Sequence, residues 1–67
     1  MYIIKIIFKN YLELEKMKGL INTGIINEKR KKIKFIYNDL MKLFDYLSYY
    51  NIKYNKISII NKNKYIS

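Results

Sequence analysis

Residues 2–8, YIIKIIF, decide the fold class of this chain, because two secondary structures fit them. In the preferred interpretation they open a helix from Tyr2 to Lys18, since apolar residues recur at intervals of three and four along this segment. The residues on that helix face are Ile4, Ile7, Phe8, Tyr11, Leu14 and Met17. This interpretation predicts a mainly α protein.

The alternative for the same stretch is a strand over residues 2–8, because isoleucine and aromatic residues are typical of strands. A short helix over residues 11–18 would then follow. Asn10 would be its N-cap, with Glu13 three residues later as in a capping box. This alternative predicts a small α+β fold, and both interpretations stay open from sequence.

The next segment predicts a loop and then a long helix. Both glycines of the chain lie in the stretch from Gly19 to Gly24, whose polar residues indicate the main connection. Residues 28–50 then predict one amphipathic helix with Asn27 as its N-cap. Its apolar stripe comprises Ile33, Ile36, Tyr37, Leu40, Leu43, Phe44, Leu47 and Tyr50.

The C-terminal part has a different periodicity. Apolar residues alternate with polar ones from Ile52 onwards, which indicates a possible short β segment near residues 52–60. With the first helix over about residues 2–18 or 11–18 and the second over about residues 28–50, the predicted class is mainly α. We treat residues 1–67 as a single small domain or an assembly-dependent subunit, because a chain this short buries only about 60% of its unfolded surface.

The composition excludes several kinds of site. The chain contains no cysteine and no histidine, so disulfides and zinc sites of the usual cysteine and histidine type cannot form. The usual activators of a nucleophile are missing too. We therefore expect no enzyme activity, no catalytic residues, no metal, no cofactor and no small-molecule substrate. No stretch has the roughly 20 mostly apolar residues of a bilayer-spanning helix.

The charge balance indicates an anionic partner. Lysine and arginine number 14 against 5 aspartates and glutamates, which gives a net charge of +9. Isoleucine, lysine, asparagine and tyrosine dominate the chain, as A+T-rich codons favour. Such codons favour glutamate as well, so the excess of cations keeps functional weight.

A cluster of cations stands out at the start of the predicted long helix. A helix N-terminus already carries a partial positive charge and unpaired N–H groups, so cations there predict an external polyanion, with phosphate as its anionic group. The predicted nucleic-acid-binding residues are Lys29, Arg30, Lys31, Lys32, Lys34, Lys42, Lys53, Lys56, Lys62 and Lys64. Phe35, Tyr46 and Tyr49, beside or on the polar side of that helix, are possible base-stacking residues.

These features predict a small, basic, non-catalytic subunit of a ribonucleoprotein assembly, and specifically a ribosomal protein of an A+T-rich organelle or organism. Its partners would be rRNA and neighbouring proteins, in a mitochondrial, plastid or cytosolic ribosome. Two alternatives stay open. One is an accessory subunit at an anionic membrane surface or within a membrane complex, and the other is a viral or phage protein that binds DNA or modulates its host.

Overall fold

The stretch over residues 2–8 is a strand, β1 (Tyr2–Phe8), in the computed structural model of the protein. The structure describes residues 1–21 and 23–61. The other elements are α1 (Tyr11–Lys18), β2 (Ile25–Asn27), β3 (Lys32–Tyr37), α2 (Leu40–Tyr49) and β4 (Tyr54–Asn61). Strands account for 40% and helices for 30% of the described residues, so the expected mainly α class is wrong.

The four strands form one antiparallel sheet in the order β2-β3-β1-β4. β1 is paired on both sides, with Ile4 opposite Phe35 of β3 and opposite Ile59 of β4. The element order βαββαβ with this strand order is the split βαβ, or ferredoxin-like, arrangement. Because this arrangement supports many unrelated functions, function must be argued from the site that it carries.

β1 is a strand because its residues suit a central position in a sheet. Its β-branched and aromatic side chains pack well on a pleated surface. The helical spacing of its apolar residues follows from composition alone, since six of its seven residues are apolar and any period then finds apolar matches. Pairing with two neighbouring strands decides between the interpretations.

Both helices pack on the same face of the sheet. Alternate residues of β1 point to this face and are fully buried, as are Leu14 of α1 and Leu43 of α2. The buried core comprises Ile4, Ile6, Phe8, Leu14, Met17, Ile21, Ile33, Phe35, Leu43, Leu47 and Ile52. These residues come from both helices, from β1 and β3 and from two loops, so the core forms only when distant parts of the chain meet.

The helix predicted over residues 28–50 does not form, because two breaks divide the segment. Asn27 Oδ1 accepts a hydrogen bond from the Arg30 N–H at 3.2 Å, and Lys31 at φ 52° turns the chain into β3. Asp39 then caps α2, with its Oδ1 accepting from the Lys42 N–H at 3.0 Å. β3 lies between the breaks, and its alternating burial at Ile33 and Phe35 has the period of a strand.

The start of α1 has the geometry of a capped helix. Asn10 Oδ1 accepts a hydrogen bond from the Glu13 N–H at 3.1 Å, so Asn10 satisfies one of the free donors of the first turn. This is the arrangement that accompanied the strand interpretation of residues 2–8. The alternating C-terminal segment is also a strand, β4, and extends one residue beyond the expected range of 52–60.

Glu13 is a buried carboxylate that connects α1 to the segment before β4. Its Oε2 accepts a hydrogen bond from the Lys53 N–H at 2.7 Å, and its Oε1 accepts one from Lys16 Nζ at 3.3 Å. The Lys53 hydrogen bond lowers the pKa of Glu13 from its ordinary value of 4.5, although burial opposes this shift. The ionised form of Glu13 is therefore favoured in the folded protein.

We expect Glu13→Gln to lower the free energy of unfolding by about 1 kcal/mol near neutral pH, because charge-assisted hydrogen bonds are lost. Because folding lowers the pKa of Glu13, its ionised carboxylate stabilises the folded protein at pH values above the pKa that Glu13 has in the unfolded chain. This stabilisation is lost as the pH falls through the pKa of the folded state. The difference between wild type and Glu13→Gln should therefore shrink below pH 4.5. Urea unfolding across the acid range measures this, with the exposed Glu15→Gln as control. A difference that does not change with pH would contradict the role given to the Glu13 charge.

Leu43 lies in the core with no exposed surface, so Leu43→Ala should leave a cavity and cost about 2–5 kcal/mol. That loss is comparable with the whole stability of a domain of this size, and we expect cooperative thermal unfolding to disappear. Met41→Ala, on the exposed side of the same helix, is the control and should change stability by less than about 0.5 kcal/mol. Circular dichroism melting compares the two, and equal effects would contradict this core.

Candidate nucleic-acid interface

The sheet has a second face, which we call the open face, on the side away from the helices. Successive side chains of a strand point to opposite faces, so the neighbours of the buried strand residues belong to it. No described helix or strand packs on this side. The open face comprises Ile3, Lys5, Ile7, Ile25, Asn27, Lys32, Lys34, Ile36, Lys56, Ser58 and Ile60.

Strand register arranges these residues in rows across the sheet. In the middle row Lys34 of β3 lies directly opposite Lys5 of β1, which lies opposite Ser58 of β4, and Ile25 of β2 lies opposite Lys34 on its other side. We call one neighbouring row, Ile36, Ile3 and Ile60, the isoleucine row. The row on the other side consists of Lys32, Ile7 and Lys56. The open face therefore has an apolar part and a cationic part.

The cationic part has no acidic residue beside it. None of the four strands contains an aspartate or a glutamate. The five carboxylates of the chain are Glu13, Glu15, Glu28, Asp39 and Asp45, which lie in the helices, at the cap of α2 or in the β2–β3 turn. Among the described residues, ion pairs involve only Lys16 and Lys18 as cations. The lysines of the open face are thus not neutralised by the described part of the chain.

Three hollows formed by the described residues lie on the open face, and the smallest of them, of about 190 Å³, is lined by Ile25, Asn27, Lys32 and Lys34. The second, which we call the cationic hollow, has a volume of about 250 Å³ and is lined by Lys5, Ile7, Lys32, Lys56 and Ser58. The third, the apolar hollow, has a volume of about 410 Å³ and is lined by Ile3, Thr23, Ile25, Lys34, Phe35 and Ile36. Lysine ammonium groups and a serine hydroxyl are donors for phosphate oxygens, so the cationic hollow can hold a phosphate group.

The structure brings three of the predicted binding residues together on the open face, namely Lys32, Lys34 and Lys56. Lys29, Arg30 and Lys31 lie in the turn at the end of the β2–β3 hairpin. Lys42 lies on the exposed side of α2, and Lys53 lies between α2 and β4, so these two belong to other surfaces. Lys62 and Lys64 lie outside the described residues.

The prediction that the cation cluster lies at a helix N-terminus is wrong. Residues 29–34 do not begin a helix, so no helix N–H groups and no helix dipole act on an anion there. Strand pairing places the cations instead. Lys5, which the helical interpretation placed in the first segment, is the central cation of the open face. Because isoleucines flank it on both sides, no alternation in the sequence marks it, and only the strand pairing of β1 assigns it to this face.

The three possible stacking residues lie on the helix side of the molecule. Phe35 is 4% exposed and belongs to the core. The Tyr46 hydroxyl donates to the Lys16 carbonyl oxygen at 2.8 Å, and burial raises the pKa of this tyrosine. Tyr49 is 81% exposed on α2, beside the ring of Tyr50. None of these rings is on the open face, and the open-face residues of the four strands include no aromatic side chain.

The described part of the chain offers neither a metal site nor a membrane span made of a helix. Over residues 1–21 and 23–61, no group of three or more histidine, cysteine, aspartate or glutamate side chains could hold a metal ion. No helix in that part has the length and apolar character needed to cross a bilayer.

Lys5 and Lys34 lie directly opposite on neighbouring antiparallel strands, where like charges destabilise the sheet. We expect Lys34→Gln to raise the free energy of unfolding at low salt by about 0.2–1 kcal/mol. The gain should shrink as salt screens the repulsion. Urea unfolding at two salt concentrations measures it. The control is Lys29→Gln in the turn, which removes the same charge from a residue without a cross-strand neighbour. An equal increase in the free energy of unfolding for this control would contradict repulsion between Lys5 and Lys34.

Comparisons of the chain with protein-family models, with curated proteins and with solved structures found no match. Similarity to a known protein therefore contributes nothing to the assignment of a function. The assignment depends on the chemistry of the open face.

Proposed function

We propose that this protein is a small non-catalytic subunit of a ribonucleoprotein assembly that holds RNA phosphates against its open face. The observation that carries the proposal is the charge of that face, where Lys5, Lys32, Lys34 and Lys56 project and no strand contributes a carboxylate. A ribosome of an A+T-rich organelle or organism is the assembly that we propose, because codon preference and net charge agree with it.

The opposed pair Lys5 and Lys34 gives the open face an energetic reason to bind an anion. Holding two like charges opposite each other costs the free protein stability. A polyanion on the open face would relieve this cost and would also release its own condensed counterions, which favours binding strongly at low salt. The same two side chains that strain the free sheet would thus stabilise the complex.

The width of the cationic area supports an extended anion. Lys32 of β3 and Lys56 of β4 lie two strands apart, which corresponds to about 10 Å across the sheet. Lys29, Arg30 and Lys31 continue the positive charge beyond Lys32 into the hairpin turn. A polymer with phosphates at regular intervals fits this distribution better than a small molecule with one anionic group.

Sequence-specific binding of duplex DNA is less well supported. A helix that enters the major groove presents several polar or cationic side chains to the base edges. The exposed side of α2 instead presents Met41, Phe44, Asp45 and Tyr49, with Lys42 as its single lysine. We therefore favour RNA over the viral or phage DNA-binding alternative.

An anionic membrane surface is a second candidate, because isoleucines lie beside lysines on the open face. A membrane differs from RNA in the shape of the anionic surface that the protein would contact. Lipid headgroups form a flat surface that would contact the whole face, and binding would require acidic lipids. Vesicle binding separates the two candidates, and strong binding to acidic vesicles without binding to RNA would favour the membrane.

We expect structured RNA to bind with an affinity that falls steeply between about 50 mM and 200 mM salt. The double variant Lys5→Gln, Lys34→Gln should weaken binding at low salt and reduce the slope of log K against log salt by about 0.7–0.9 for each phosphate that is no longer neutralised. Fluorescence anisotropy with labelled RNA measures both quantities. Because Lys34→Gln is expected to stabilise the sheet, unfolding would not explain the weaker binding.

The matched control is Lys18→Gln, Lys42→Gln, which removes two charges from α1 and α2. It should leave the salt slope unchanged, since both helices pack on the other face of the sheet. Equally weakened binding for the two double variants would mean that net charge alone attracts the RNA. An affinity that does not change with salt would overturn the proposed function.

A further inference from the structure

We propose that the open face is built for single-stranded nucleic acid, with phosphates on its lysines and bases against the isoleucine row and the apolar hollow. This inference rests on the proposed function and names the form of nucleic acid that the face accepts. It follows from the exposed isoleucines that lie beside the lysines on the open face, which charge alone does not explain.

The rows place apolar and cationic contacts at a short, regular separation. Ile36 and Lys34 are two residues apart on β3, as are Ile3 and Lys5 on β1, which corresponds to about 7 Å along each strand. The boundary between the rows crosses the strands at right angles. A chain of nucleotides lying along this boundary would have phosphates on one side and bases on the other.

The apolar hollow offers a surface for the bases. Ile25 and Ile36 line it and are 72% and 54% exposed, although neither has a role in the core. Lys34 and Thr23 line the hollow as well. Apolar side chains gain free energy when a ring covers them and displaces water. These isoleucines are explained if bases pack on them.

Base-paired nucleic acid would not use this part of the face. In a duplex the flat faces of the bases are stacked on one another, and the phosphates form the outer surface. A surface that acted through charge alone would prefer the duplex, which has the higher density of phosphates. A preference for single strands is therefore the specific signature of apolar contact with bases.

The side chains of the open face also limit how well it could distinguish one base from another. Isoleucine provides no hydrogen bonds, so the isoleucine row cannot tell one base from another by its edge. The described open face has no ring for stacking, and binding would depend on apolar cover in addition to charge. We infer binding that tolerates sequence and selects for unpaired bases.

The test measures binding of the full chain to three probes by competition at one low salt concentration. The probes are a short single-stranded RNA of mixed sequence, the same RNA paired with its complement, and inorganic polyphosphate, which has no bases. We expect the single strand to bind more tightly than the duplex. The double variant Ile25→Thr, Ile36→Thr should weaken binding of the single-stranded RNA by about threefold or more. It should leave the binding of polyphosphate unchanged.

The control is Leu12→Gln, Met41→Gln, which removes two exposed apolar side chains from the helices. It should change binding to none of the probes. Both sites of the test variant are exposed and threonine suits strands, so the fold should persist, and circular dichroism checks this.

The possible failures are distinct. A duplex that binds as tightly as the single strand, with no effect of Ile25→Thr, Ile36→Thr, would overturn this inference and leave phosphate binding intact. Failure of the chain to bind any of the three probes would overturn the proposed function and this inference together. Binding to acidic vesicles that depends on the same isoleucines, without binding to RNA, would do the same and assign the face to a membrane.

Discussion

Pairing of β1 with strands on both of its sides is the constraint on which the rest of the structure depends. β1 contacts β3 and β4, whose residues follow it by roughly 30 and 50 positions. Because β1 is paired on both sides, one of its faces belongs to the core and the other to the open face. Ile4, Ile6 and Phe8 bury the helix side, whereas Lys5 is held at the centre of the other side. A helix over the same residues would allow neither arrangement.

Charge is separated between the two layers of the molecule. The acidic residues lie in the helices, at the cap of α2 and in the β2–β3 turn. The three glutamates pair with Lys16 or Lys18, and Asp39 accepts a backbone hydrogen bond. Glu13 shows the structural use of an acid here, because its carboxylate connects α1 to the Lys53 backbone. The sheet layer carries cations without acids. A net charge spread evenly would leave acids beside the lysines of the sheet, whereas this separation leaves cations alone on the described open face.

Local features of the sequence predict several elements correctly, whereas the predictions are wrong where pairing over long distances decides the structure. The Asn10 cap and the β segment near residues 52–60 depend on neighbouring residues and could be identified. The helix over residues 28–50 was wrong, because the apolar residues of β3 and α2 happen to continue one helical period across the break at Asp39. For the candidate site, Lys32, Lys34 and Lys56 were identified by charge, whereas Lys5 was missed because its strand was interpreted as helix.

The sequence by itself determined the chemistry available to this protein. It excluded cysteine and histidine sites, and it established the excess of cations and the scarcity of acids. Only the tertiary structure decided where those cations act. A strand residue points to one face or the other according to its register with neighbouring strands, and that register is set by segments far away in the chain. The open face therefore exists as a surface only after β1, β3 and β4 have come together.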